Sequence, residues 1–490
     1  MTVGVIATPH HLASEVGAQI LRDGGNAIDA AIAADAVLCV VYPHMTSVGG
    51  DLMAIIWPAG ESAPVGLIGA GRSGELATIE AVRAQGHETM PARGILSVTV
   101  PGTVEAWGRL LERFGSFGLG AVLEPAAALA EGGYLITPDL SEHLKRAADW
   151  LGRERSTYAL YPPMEAGMLL RNPDLASTLR DIARHGINGF YRGEIGAALV
   201  AAIKQRDGLI TRQDLGLHRS QWVEPIAFAY RDVVVHELPP PTVGLVAAAM
   251  ALRLEAGQEF RAARDASYAL RDRYITDPDF AAAPTDLFLN PQAATAGGVD
   301  TTPRGGDTIY LCAADEHGNL VSLIQSVAYD FGSGVVAEGT GMLLQNRGAY
   351  FKLDPDHVNR LEPKKRTMHT LIPAMASRGG RPWAAFGAMG GERQPQLQVQ
   401  VLRNLVDEVL DPAEAVARPR KAILVDGETL AVEADYPGAA QMARDDRRVK
   451  LMPPRHHTFG HAQALVVDGP RAWRAGADPR SDGSVEYVRD

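Results

Sequence analysis

The chain has 490 residues, 46% hydrophobic and 21% charged, a globular composition long enough for one large fold or two or three smaller ones. A net charge of −11, with no basic run beyond the short "PKKR" at 363–366, argues against a phosphate-tracking surface and so against nucleic acid as a partner. Only Cys39 and Cys312 occur, both in apolar runs, which excludes a disulfide framework and a cysteine-based metal site.

The opening "MTVGVIATPHHLASE" lacks the basic and apolar regions of an export signal, which predicts a cytoplasmic protein. Leu12, Val16, Ile20 and Leu21 fall at helical spacing and "RDGGN" stops that helix. The apolar run Ala27–Tyr42 is too short to span a bilayer and carries Asp29 and Asp35, so it reads as a buried Ala-rich helix, and two packed helices open the chain. "VGGDLMAIIWP" predicts a short buried strand, and "PGTVEAWGRLLERFG" and "EPAAALAEGGY" continue a mixed pattern. Residues 140–290 read as mostly helical, with "HELPPPTVG" marking a strand end and a turn before another Ala-rich helix. After a loop over 291–307, "TIYLCAA", the turn "DEHGN" and "LVSLIQSV" predict a hairpin apolar on nearly every residue, hence covered on both faces. Helices outside and sheets inside follow from that, with a helix in "QVQVLRNLVDEVL" and a late strand in "AQALVVD".

Thr308 is the residue of interest, because a loop rich in glycine, threonine and proline, "TAGGVDTTPRGGD", ends on it where the buried strand begins. Threonine is favoured in strands for its branched side chain alone. A nucleophile exposed by chain cleavage, however, gains its own base: the freed α-amino group, with an ordinary pKa of about 7.7–8.0, takes the hydroxyl proton at neutral pH. Metal chemistry has less support, since His10, His11, His44, His369, His456, His457 and His461 are scattered or merely adjacent and no H-E-x-x-H occurs. Nothing in the sequence calls for a cofactor.

Along nearly its whole length the chain resembles the γ-glutamyltranspeptidase family of N-terminal-nucleophile hydrolases. The matching stretches run in order from "ATPHHLASEVGAQILRDGGNAIDAAIAADAVLCVVYPHMTSVGGD" through "VPGTVEAW", "LPPPTVG" and "RDRYITDPDF" to "FGSGVVAEGTGMLLQNR", "GAMGGERQPQ" and "GADPRSDG". The resemblance implies an α+β fold, a four-layer αββα sandwich, made as a proenzyme that cuts itself between Asp307 and Thr308 into pieces 1–307 and 308–490. It implies Thr308 as nucleophile, Ser326 as a hydroxyl orienting it, Gly390 and Gly391 as the oxyanion site, and Arg72 as the grip on a substrate carboxylate.

The departures bear on substrate. Where the family holds a substrate's α-amino group with asparagine, glutamine and aspartate, this chain has Ala328, Arg347 and Tyr350, and paired carboxylate-binding serines are replaced by His369 and Thr370. A substrate ammonium meets a like charge in Arg347, while His369, in either tautomer or as a cation, and Thr370 can still donate hydrogen bonds. The segment Phe351–Arg366 is shorter than the lid-bearing versions of the family, which favours an open site and hydrolysis over transfer. The expected activity is therefore self-processing amide hydrolysis of acyl groups that end in a carboxylate without an α-amine, glutaryl- or oxamate-like. The alternatives are a true γ-glutamyltransferase or glutathione hydrolase, and a decayed member acting as a binding or assembly protein. The expected partners are the small-molecule amide and the two pieces of one precursor, with a homo-oligomer left open and neither membrane nor nucleic acid involved.

Overall fold

In the computed structural model, residues 2–295, 297–301 and 306–489 are described. Two antiparallel sheets lie face to face. The seven-stranded sheet runs in the order Ser484–Arg489, Thr2–Thr8, Asp307–Asp315, Leu320–Ala328, Asp51–Trp57, Val65–Gly69, Gln221–Val223. The six-stranded sheet runs Ala472–Ala477, Ala462–Gly469, Arg381–Ala388, Ala374–Arg378, Val233–Glu237, Ile226–Tyr230. Each sheet contains strands from both sides of residue 307, so the two parts of the chain share one core.

The hairpin's continuous apolar run follows from this layering. Tyr310, Cys312 and Ala314 point between the sheets, where they meet Val5, Met53, Ile55, Met375, Ala385 and Leu465. Ile309, Leu311 and Ala313, one position out of phase, point to the helical layer over the first sheet. That layer includes His11–Arg22, Ala27–Val41, Thr103–Phe114 and Leu119–Gly132, while Gly244–Glu255 and Gln394–Val406 cover the second sheet. The result is the expected α+β, four-layer αββα sandwich.

The helix Ala27–Val41 is buried at every position, which its small side chains permit. Its acids are explained locally. Asp29 closes a capping box with Asn26 and accepts from the amides of Ser116 and Phe117, and Asp35 accepts from the Trp107 indole at 2.7 Å. Cys39 and Cys312 are buried free thiols. Among the described residues, no helix is long and apolar enough to cross a membrane. One element departs from the sequence reading: a strand, Thr2–Thr8, precedes the two opening helices. "TVGVIAT" is short and does not alternate, so its place beside the hairpin is set by pairing with Asp315–Cys312 and Arg489–Ser484.

Candidate active site

A β-bulge builds the centre of the site. Gln325 pairs with Ile309 and Ala328 with Asp307, so Ser326 and Val327 both face the single residue Thr308. The extra residue is accommodated by Ala328 at φ 80°, an unusual conformation for a residue with a Cβ. This turns the Ala328 N–H onto the Ser326 hydroxyl at 2.7 Å. The Thr308 hydroxyl donates to Ser326 Oγ at 3.3 Å, and Ser326 Oγ donates to the carbonyl oxygen of Asp307 at 2.7 Å. The bulge thus links the threonine hydroxyl, through one serine, to the peptide carbonyl immediately before it. Gln394, the first residue of helix Gln394–Val406, donates to Thr308 Oγ1 at 3.4 Å. Thr308 itself is 1% exposed.

The glycine pair meets the same peptide from the other side. Gly390 and Gly391 have φ of 153° and 54°, both favouring glycine, and lead into the turn Gly391–Arg393. A Cβ on Gly306 would lie 2.1 Å from Gly391 Cα, so the two backbones touch one residue before the Asp307–Thr308 bond. Arg271 pairs with Glu392 at 3.0 Å and the Tyr268 hydroxyl donates to the Glu392 carbonyl, which fixes this turn.

Arg347 is fully buried. Its Nη1 donates to Thr370 Oγ1 at 3.0 Å, its guanidinium lies 5.0 Å from the centre of the Tyr350 ring, and Nε and Nη2 have no hydrogen-bond partner among the described residues. It makes no ion pair there either, and burial lowers its pKa while Tyr350, Asp51 and Tyr329 raise it. Arg393 is a half-buried guanidinium without an ion pair among the described residues; its Nε is buried and unpartnered, and Asp307 is the main group opposing the cost of its desolvation.

Two expected binding residues are otherwise engaged. His369 donates from Nε2 to Asp51 Oδ2 at 3.2 Å and accepts the Leu371 N–H on Nδ1 at 3.3 Å. Burial, then Arg347, pushes its pKa well below the ordinary value, so it is a neutral ring with both nitrogens in use and not a cation or donor for substrate. Arg72 donates to Asp277 at 2.7 Å, to the Lys364 carbonyl at 2.9 Å and to Asp279 at 2.5 Å. It lines a separate cavity of about 550 Å³ with His218, Arg219 and Arg366, which none of Thr308, Ser326, Gly390 or Gly391 lines. The grip expected of Arg72 is thus already closed on protein carboxylates. The Phe351–Arg366 segment is pinned inward, with Lys365 on the Val358 carbonyl and Asn359 on the Tyr350 carbonyl.

Sequence reasoning missed the far side of Asp307. Its side chain lines a cavity of about 230 Å³ with Asp139, His143, Arg146, Asp330, Arg393 and His461. Histidines that look scattered along the chain converge here: ligand-type atoms of His44, Asp139 and His143, and of His143, Asp307 and Asp330, lie within 4.8 Å of one another. Arg146, 3.0 Å from the His143 ring nitrogens, and Arg393 and Arg480 on the same wall oppose a cation there. Burial, then Asp330, pushes Asp307 up to about 6, against His143, Arg146 and Arg393. No motif marks these residues, because they meet only when the helix Pro138–Leu151 packs beside the loop after Ala328.

Comparison with known proteins agrees with this architecture. A family model described as gamma-glutamyltranspeptidase matches residues 13–488. The glutathione hydrolase-like YwrD proenzyme of Bacillus subtilis is 34% identical, over 99% of this chain and 98% of the relative. The oxamate amidohydrolase proenzyme of Klebsiella pneumoniae is 33% identical over the same shares. Among solved structures, cephalosporin acylase from Bacillus halodurans superposes with a TM-score of 0.91 at 35% identity, covering 99% of this chain and 96% of that one. A family match over almost the entire length, on a fold that puts a threonine hydroxyl against its own preceding peptide, means that this chain belongs to the gamma-glutamyltranspeptidase family of enzymes.

Proposed function

We propose that the protein cuts itself between Asp307 and Thr308 and then hydrolyses amides whose acyl group ends in a carboxylate and carries no α-amine. In the first reaction the Thr308 Oγ–H proton moves to Ser326 as Oγ bonds to the Asp307 carbonyl carbon, and the Ser326 proton moves to the carbonyl oxygen. Collapse breaks the C–N bond, the Thr308 nitrogen takes the proton, and water hydrolyses the resulting ester to an Asp307 carboxyl terminus. The freed α-amine then serves as base: it takes the Thr308 hydroxyl proton during attack on a substrate amide and passes it to the departing amine. Backbone N–H groups at Gly390 and Gly391 are the donors for the oxyanion, with Gln394 aligning the nucleophile.

Contact between Gly306 and Gly391 makes the first reaction sensitive to a single methyl group. Gly306→Ala is expected to slow appearance of the two pieces at least about tenfold, because backbone must give way at the reacting peptide. Gly298→Ala, with open space around it, is the neutral control. Timed denaturing gels of newly made protein measure both, and equal rates would remove Gly391 from the cleavage site.

The observation that carries the substrate reading is Arg347, a buried guanidinium with unpaired donors where an ammonium-binding site would need an acid. It repels an α-ammonium and, with Arg393, favours an anionic acyl group. The relatives named an oxamate amidohydrolase and a cephalosporin acylase support amide hydrolysis by this branch. Initial rates on glutaryl and γ-glutamyl 4-nitroanilide test it directly. The glutaryl compound is expected to have the higher kcat/KM by at least about tenfold, and a preference for the γ-glutamyl compound would overturn the reading.

A further inference from the structure

We propose that Asp307 occupies, in the uncut chain, the seat of the substrate's acyl carboxylate, that Arg393 reads this carboxylate, and that the favoured acyl group is a four-carbon, succinyl-type one. This rests on the reading that Thr308 forms an acyl ester, and it adds the length of the acyl chain and the residue that recognises its end.

The chemistry of the two reactions supplies the link. Self-cleavage passes through an ester in which the acyl group on Thr308 Oγ1 is residue 307 itself, so the precursor's own acyl group is an aspartyl unit. Counting from its carbonyl carbon through Cα and Cβ, the carboxyl is the fourth carbon, the spacing of a succinyl half-amide. The Gly306 peptide takes the place of any α-substituent, and it has no spare room, being pressed on Gly391.

Charge on the cavity wall points the same way. Facing Asp307 are Arg146 and Arg393, with His143 held toward its cationic form by Asp330, Asp307 and Asp139 against the cost of its burial. Against these three positive groups stand Asp139, Asp330 and Asp307. Arg480 is satisfied separately by Glu433 and Asp478. When Asp307 leaves as a new chain terminus, Arg146 and Arg393 on the same wall lose a carboxylate that offsets their charge, which favours a replacement anion. Arg347, on the Tyr350 side, has the other task of excluding an ammonium.

The test uses the processed two-piece enzyme and the 4-nitroanilides of oxalic, succinic and glutaric half-acids, with butyric as the uncharged control of equal chain length. Succinyl is expected to lead oxalyl and glutaryl in kcat/KM by at least about tenfold, and Arg393→Gln to cut the succinyl-to-butyryl kcat/KM ratio by about tenfold or more. Should the variant fail to mature, inhibition of the parent enzyme by free oxalate, succinate and glutarate reports the same preference, with succinate expected tightest. Glutaryl or oxalyl leading, or an unchanged ratio in the variant, overturns this inference while leaving carboxylate recognition intact. Butyryl equal to succinyl, or γ-glutamyl ahead of all, overturns the underlying functional reading as well.

Discussion

Thr308→Ala is expected to leave one uncut chain of 490 residues with amide hydrolysis reduced at least about 10³-fold, where the parent protein gives two pieces, the smaller beginning at Thr308. The loss is large because one side chain serves both reactions: its oxygen attacks the Asp307 carbonyl, and the amine it later needs as base exists only after that attack. Nothing else in the bulge replaces it. Ser326 Oγ is already fixed as donor to the Asp307 carbonyl and acceptor from Ala328, with no base beside it to make it a nucleophile. Thr308→Ser separates chemistry from folding, since it keeps the hydroxyl and is expected to cleave, more slowly, at the same bond. Intact-mass measurement with N-terminal sequencing decides the matter. Cleavage of the alanine variant at residue 308 would assign the attack to another group, and an uncut parent chain would end the self-processing reading.

Much of the fold was legible because burial on both faces leaves a plain trace. The hairpin of 307–328, the Ala-rich helix Ala27–Val41 and the stop signal around Gly24 follow from local pattern. Thr308 was marked only by its place, first in a buried strand after a glycine-rich loop, and its candidate role came from the family resemblance. Two things were not legible. The bulge that pairs two residues with Thr308 depends on one register shift, which composition does not reveal. Charge pairing was the other. Arg72 carries no mark that Asp277 and Asp279, some 205 residues away in sequence, neutralise it, and His143 and Asp330 reach Asp307 only through tertiary packing. Long-range electrostatics set the roles of individual ionisable groups here, and a single sequence lists the charges without their partners.

Arg347→Gln combined with Tyr350→Asp is expected to move the ratio of γ-glutamyl to glutaryl anilide turnover by about 100-fold or more toward the γ-glutamyl compound. The first change removes a buried positive charge that has no ion-pair partner among the described residues. The second sets a carboxylate where the family resemblance puts an aspartate against the substrate ammonium. Neither alone should suffice: with Arg347 retained, a new aspartate pairs with it and is lost to substrate, and with Tyr350 retained the ammonium has no acid to meet. The double variant should also be less stable without ligand, because position 350 is fully buried and an unpaired carboxylate there costs several kcal/mol or takes up a proton. A ligand bearing an ammonium should recover part of that loss, so thermal unfolding with and without γ-glutamyl ligand gives a readout independent of turnover. If the ratio stays put while Arg347→Gln alone abolishes glutaryl hydrolysis, Arg347 itself binds the acyl carboxylate, and the division of labour between Arg347 and Arg393 must be reversed.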